Sequence, residues 1–203
     1  MILMNDFKAE PLELREAMLK AANRVLESGW YVLGNECKQF EEQWSTVCGV
    51  GHGIGVANGM DAIEIALLGL SIGGGDEVIT TPMTAFATIL AIIRSGAKPV
   101  LADIDSETAL LSIESVRRSL TANTKAVILV HLYGQVRQMD EWVNFCEENK
   151  IMLIEDCAQA HQATWQGKVA GCFGQAGAYS FYPTKNLGAV GDAGMLVTNN
   201  STL

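Results

Sequence analysis

Two short runs, Ala126-Val-Ile-Leu-Val-His131 and Ile151-Met-Leu-Ile-Glu155, constrain the fold of this chain most. Each is apolar up to its last residue. A strand with one wet face would alternate, whereas an unbroken apolar run fits a strand buried on both faces, as in the middle of a parallel sheet. Between them Met139–Asn149 carries a helical pattern, long enough for the crossover that parallel strands need. The rhythm continues in both directions. Strands are predicted at Ile54–Ala57, Glu77–Thr80, Pro99–Ala102, 176–181 and 194–198, and helices at Asp61–Leu70, Phe86–Ser95 and Ile113–Leu120. Seven strands alternating with helices predict an α/β fold, a three-layer αβα arrangement around a mostly parallel seven-stranded sheet.

Before the first strand the pattern is purely helical. Pro11–Ser28 repeats Leu14, Met18, Ala21 and Val25 at helical spacing, opens on proline and stops at Gly29. A turn with Trp30 and Tyr31 leads to a second helix over Glu36–Thr46, whose Phe40 and Trp44 read as core packing. Composition supports a folded chain, with 49% apolar and 18% charged residues. The net charge of −9 argues against nucleic-acid binding, which needs a basic footprint, but leaves room for a local anion site. The first residues lack the pattern of a signal peptide, and no apolar run reaches the roughly 18 residues of a membrane span. Five scattered cysteines without a C-x-x-C pair read as reduced thiols of a cytoplasmic protein. Three scattered histidines show no metal-ligand spacing, so no metal site is expected.

Ligands of open α/β sheets sit beyond the carboxyl ends of the strands, so chemistry is sought there. Asn58-Gly59-Met60-Asp61 leaves the first strand and opens a helix. Its amides and the helix dipole suit an anion, and Gly59 would let a phosphate approach closely. A plain turn capped by Asn58 or Asp61 explains the same residues. Gly53, Gly55 and Gly59 have the wrong spacing for a dinucleotide loop, and Gly73-Gly74-Gly75 lacks the lysine of a P-loop. After the second strand, Phe86 is either a ring that stacks on a flat cofactor or a core phenyl. After the fifth, Glu155-Asp156 places carboxylates where burial demands a partner. A protonated pyridine nitrogen is one such partner, and a structural cap is the alternative. After the sixth, the chain breaks at Pro183 and offers Lys185, five residues beyond Ser180. Lysine amines form Schiff bases with carbonyl compounds, pyridoxal phosphate (PLP) among them. A solvated loop lysine is the plain alternative. Together these four places supply what PLP requires: a phosphate cradle, a ring stack, a pyridine counter-ion and an amine.

These residues are also familiar as a set. Gly29-Trp-Tyr-Val-Leu-Gly34, Asn58-Gly-Met-Asp-Ala62, Gly75-Asp-Glu-Val-Ile79, Glu155-Asp-Cys-Ala-Gln-Ala-His161 and Ser180-Phe-Tyr-Pro-Thr-Lys-Asn-Leu-Gly188 resemble the PLP-dependent nucleotide-sugar aminotransferases of the DegT type. The resemblance implies the large domain of PLP fold type I over residues 1–203, with an N-terminal helical segment of about 1–50 and without the C-terminal small domain. It implies Lys185 as the Schiff-base lysine and proton shuttle, and Asp156 on the pyridine nitrogen. Gln159 would contact the ring or its hydroxyl, Phe86 would stack on the ring, and Ser180 with the backbone of Gly59 and Met60 would hold the phosphate. The implied reaction is transamination of a keto-sugar carried on a nucleoside diphosphate, with glutamate as amino donor, in amino-sugar or surface-polysaccharide biosynthesis by a homodimer. Gln159-Ala-His161 and the wording around Lys185 resemble members acting on dTDP-linked keto-6-deoxyhexoses. Met60 stands where many members have Thr or Ser, Ala85 where Thr is frequent, and Cys157 where Ala is. Two alternatives remain at this point. One is a truncated, non-catalytic PLP-fold fragment. The other is a PLP-dependent sugar dehydratase, against which Lys185 speaks because those enzymes carry histidine there.

Overall fold

The structure, a computed structural model, describes residues 5–203. It comprises two compact units, one ending at Phe40 and one running from Glu41 to Leu203. In the first, a short 3-10 turn precedes helix α1 (Leu12–Ser28), and helix α2 (Asn35–Cys48) begins. Gly29 ends α1 at φ 65, donating its amide to Leu26 O, a backbone turn that glycine makes without a steric penalty. Of the predicted stripe, Met18, Ala21 and Val25 are half-buried while Leu14 stays exposed, and α1 buries no residue. Arg24 grips Glu36 through two hydrogen bonds of 2.8 and 3.1 Å.

The second unit follows the predicted alternation: β1 (His52–Val56), α3 (Gly59–Gly69), β2 (Glu77–Thr80), α4 (Phe86–Arg94), β3 (Lys98–Leu101), α5 (Ile113–Ser119), β4 (Thr124–Val130), α6 (Met139–Asn149) and β5 (Met152–Asp156). A hairpin, β6 (Thr164–Trp165) and β7 (Lys168–Val169), leads to β8 (Ala176–Ser180) and β9 (Gly194–Thr198). The large sheet has seven strands in the order β1-β9-β8-β5-β4-β2-β3. From β8 to β3 neighbours run parallel, while β9 runs antiparallel to both β1 and β8. The expected mostly parallel seven-stranded sheet is therefore present, with one reversed strand.

Physical cause is visible at each level. The unbroken apolar runs became β4 and β5, buried through the middle of the sheet. One core cluster joins Ile63 and Leu67 of α3 and Ile92 of α4 to Val78, Ile128, Ile154 and Leu196 of the sheet. Pro99 sits in β3, an edge strand where its missing N–H is harmless. The hairpin escaped the sequence reading because two-residue strands carry no periodicity. Its turn, Gln166 at φ 49 followed by Gly167 at φ 82, has the paired positive φ of a tight hairpin. No described helix is long and apolar enough to cross a membrane, and all five cysteines are free thiols.

Candidate active site

Strand β5 ends in two acids, and the two-residue period of a strand sends them to opposite faces. Glu155 is fully buried. Its Oε1 accepts from the amides of Phe173 (2.7 Å) and Gly174 (2.9 Å), and its Oε2 from the Gly171 amide (2.7 Å). His131 Nε2 lies 2.9 Å from the same Oε2. A carboxylate only accepts, so Nε2 carries the proton. Burial alone would raise the Glu155 pKa. The hydrogen bond and charge of His131, with the Gly174 and Gly171 amides, instead hold it below the ordinary carboxylate value. Donor atoms of His131, Glu155 and Cys157 lie within 4.8 Å of one another. Both Glu155 oxygens are already taken, so the group reads as a structural knot.

Asp156 is 6% exposed and far less supplied. Its Oδ2 accepts from the Thr88 hydroxyl at 2.8 Å, and its Oδ1 from the Ala158 amide at 3.1 Å. Thr88 lies in the first turn of α4, with Thr84 Oγ1 at 2.8 Å from its own hydroxyl oxygen. Phe86 opens the same turn and is 68% exposed. That exposure removes the core-phenyl reading and leaves a ring face open at the sheet edge.

Helix α3 begins two residues earlier than predicted, with Asn58 as its cap. Asn58 Oδ1 accepts from the Asp61 amide at 2.9 Å, and Asn58 O from the Ala62 amide. The amides of Gly59 and Met60 are then the first-turn donors without an intrahelical acceptor. A Cβ on Gly59 would come within 2.8 Å of Ser180 Cβ, so only glycine lets α3 approach the end of β8 this closely. Ser180 is 8% exposed, and its hydroxyl accepts from the Tyr182 amide at 3.3 Å, leaving its own hydrogen to donate. The Met60 side chain packs on the core, so this residue offers its backbone and nothing else.

Gln159 and Lys185 complete the edge. The Tyr133 amide donates to Gln159 Oε1 at 2.9 Å. An amide N–H can only donate, so the bond fixes the side-chain flip and leaves the Gln159 NH2 to donate elsewhere. Tyr133 makes this contact from a left-handed backbone, φ 56, unusual for a bulky residue. Lys185 is half-buried, and its amine has no ion pair or hydrogen bond among the described residues. Its charge reaches His161: burial first, and then Lys185, lower the pKa of that imidazole. His161 Nε2 sits 2.9 Å from Ser180 O, which accepts, so the proton is on Nε2. The ring lies edge-on to Trp44 and Phe181.

Strand pairing and a few contacts thus bring the residues picked from the sequence toward one edge of the sheet. Asp156 meets α4 through Thr88, β5 pairs with β8 in the register Asp156↔Ala178, and Ser180 meets Gly59. Tyr133 holds Gln159, and Lys185 follows the end of β8, its amide donating to Tyr182 O at 2.8 Å. Thr88, Tyr133 and His161 were missed. A hydroxyl inside the apolar run Phe86-Ala-Thr-Ile-Leu was the available signal for Thr88. Nothing marked Tyr133, whose role is carried by its backbone. The donor set fits a planar ligand with an anionic group, a basic ring nitrogen and a carbonyl for an amine.

A sheet of this order, with such a lysine, acid and anion cradle at one edge, is that of the large domain of PLP fold type I. The chain belongs to the DegT/DnrJ/EryC1/StrS aminotransferase family, whose model matches residues 12–203. It is 43% identical over 203 residues to dTDP-3-amino-3,6-dideoxy-alpha-D-galactopyranose transaminase of Aneurinibacillus thermoaerophilus, covering 100% of this chain and 56% of that one. The structure of DesV from S. venezuelae in complex with a ketimine intermediate superposes with a TM-score of 0.93 at 41% identity, over 97% of this chain and 53% of that one. NtdA from Bacillus subtilis, solved with bound cofactor PMP, gives a TM-score of 0.88 at 33% identity, over 95% and 43% of the two chains. Other relatives are named for UDP- and GDP-linked sugars. The chain spans about half the length of the curated relatives it matches.

Proposed function

We propose that this chain is the cofactor-binding part of a PLP-dependent nucleotide-sugar aminotransferase. The observation that carries the proposal is the Lys185 amine, without a partner among the described residues, in the segment after β8 at the sheet edge that also holds Asp156, Gln159 and the Gly59–Ser180 cradle. Bound PLP supplies an electron sink for the carbon that exchanges its amino group. The chain does the rest. Lys185 anchors the cofactor and carries protons at its Nζ. Asp156 faces the ring nitrogen and keeps it protonated. Gln159 donates its NH2 to the ring hydroxyl. Phe86 covers one ring face. The amides of Gly59 and Met60, with the Ser180 hydroxyl, hold the phosphate at the positive end of α3.

The acceptor in this reading is a nucleotide-linked keto-sugar, and more narrowly a dTDP-linked keto-6-deoxyhexose. The dTDP-sugar transaminases among the relatives support that choice. Glutamate as donor, a homodimeric assembly and a cytoplasmic location complete this reading; the family resemblance supports the first two and the free thiols the third.

The test is borohydride reduction of the chain after incubation with PLP. The expected outcome is a covalent adduct on the peptide carrying Lys185, absent in Lys185→Ala. Glutamate added before reduction should then protect the lysine, by converting the cofactor to its pyridoxamine form. No adduct on that peptide would sink the cofactor role. An adduct without protection by glutamate would leave a PLP-binding chain that does not turn over.

A further inference from the structure

Asp156 is held by a residue outside every motif read from the sequence. Thr88 is 1% exposed, and its hydroxyl lies 2.8 Å from Asp156 Oδ2. Asp156 as a carboxylate only accepts, so Thr88 donates. A hydroxyl has one hydrogen, and Thr88 has committed it. The 2.8 Å contact between Thr84 Oγ1 and Thr88 Oγ1 therefore runs from Thr84 to Thr88. The sequence Thr84 to Thr88 to Asp156 has one sense, and each link polarises the next. Ala85, at the cap of α4, makes no side-chain cap hydrogen bond, and the Asp156 carboxylate lies at the first turn of that helix, near its positive end. On the other side, Oδ1 is held by the Ala158 amide. Both oxygens of Asp156 are thereby fixed in orientation, and neither is saturated as those of Glu155 are.

We infer that Thr88, backed by Thr84, is a positioning residue that aims Asp156 at the ring nitrogen of the bound cofactor; this rests on the cofactor reading above. The hydroxyl pair works by holding the acid in one rotamer, so its effect is confined to ligands that present a ring nitrogen.

That confinement gives the experiment. The 203-residue chain is titrated with PLP and with the PLP analogue that has C–H in place of the ring nitrogen, and dissociation constants are measured by equilibrium dialysis. Thr88→Val keeps the shape and removes the hydrogen bond. It is expected to weaken PLP about tenfold and the analogue less than about twofold. Thr88→Ser should restore PLP affinity. Thr84→Val, at a half-buried position, should show the same selectivity at about threefold. Equal weakening of both ligands would overturn the inference, because lost packing alone does that. Unchanged PLP affinity in Thr88→Val would overturn it too. An unmodified chain that binds neither ligand would instead refute the cofactor reading, and the Thr88 inference with it.

Discussion

Glu155 and Asp156 are neighbours in the chain, both hidden from water, and set in opposite surroundings. Behind β5, Glu155 meets three backbone amides and one imidazole, and its bonding capacity is filled by the protein itself. In front of β5, Asp156 meets one hydroxyl and one amide from its own turn. Burying a carboxylate is costly unless it is paired. In the first pocket the fold meets that demand completely. At the second site it meets it in part, at the sheet edge where Phe86 stands exposed. The saturated acid builds structure, and the under-supplied one is left able to engage a ligand.

The largest effect that could break this contrast is on Glu155. Glu155→Gln turns an NH2 toward amides that need an acceptor, and should cost about 3–5 kcal/mol of stability, measured by urea unfolding. A loss below about 1 kcal/mol would mean that the pocket relaxes and that saturation means little. A smaller effect should come from acid. Burial lowers the folded pKa of His161, while at Glu155 burial pushes upward and is outweighed only by the hydrogen bond and charge of His131 together with the Gly174 and Gly171 amides. The unfolded chain binds these protons more readily than the folded one, so stability rises with pH through this window. The stability tied to His161 is fully present above its ordinary value of 6.5, and that tied to Glu155 above 4.5. Each is lost as pH falls through the lower folded value. Urea midpoints followed from about pH 7.5 down to about pH 4 should fall steadily, and flat midpoints would contradict the assignment. The smallest effect on stability should come from Asp156→Asn, within about 1 kcal/mol of the unmodified chain, because asparagine can still accept from Thr88. The same variant should lose most of its affinity for PLP, by equilibrium dialysis. Stability and ligand binding would then divide cleanly between two adjacent residues.

The sequence alone did not separate these two acids. Both stand at the end of the same apolar run, and what distinguishes them lies elsewhere in the chain. The amides that saturate Glu155 come from 171–174, a stretch with no periodic signal. The family wording singled out Asp156, and the structure supplies the physical reason for the difference. The sheet was far more legible. An apolar run without alternation can be buried only on both faces, so β4 and β5 could be placed from their residue types. Lys185 was picked out because a loop lysine after an apolar strand is conspicuous. Thr88 and His161 were not, since each is tied to its partner by a hydrogen bond made across the fold, which no local pattern records. Ala85, where the family often has threonine, caps α4 without a side-chain hydrogen bond.

The order of the strands also has a consequence for how the chain is made. Strand β1 has one neighbour, β9, and β9 alone joins it to β8. While a ribosome extends the chain from Val56 to Thr198, β1 has no strand to pair with. At ordinary elongation rates that wait is roughly 7–30 s. Throughout it, β1 is a loose strand able to add to other chains, and once β8 is made the sheet ends there with an open edge until β9 follows. The arrival of residues 194–198 closes both gaps at once. Trigger factors or other holding chaperones should therefore bind nascent chains that stop short of Gly194 and release those that extend past it.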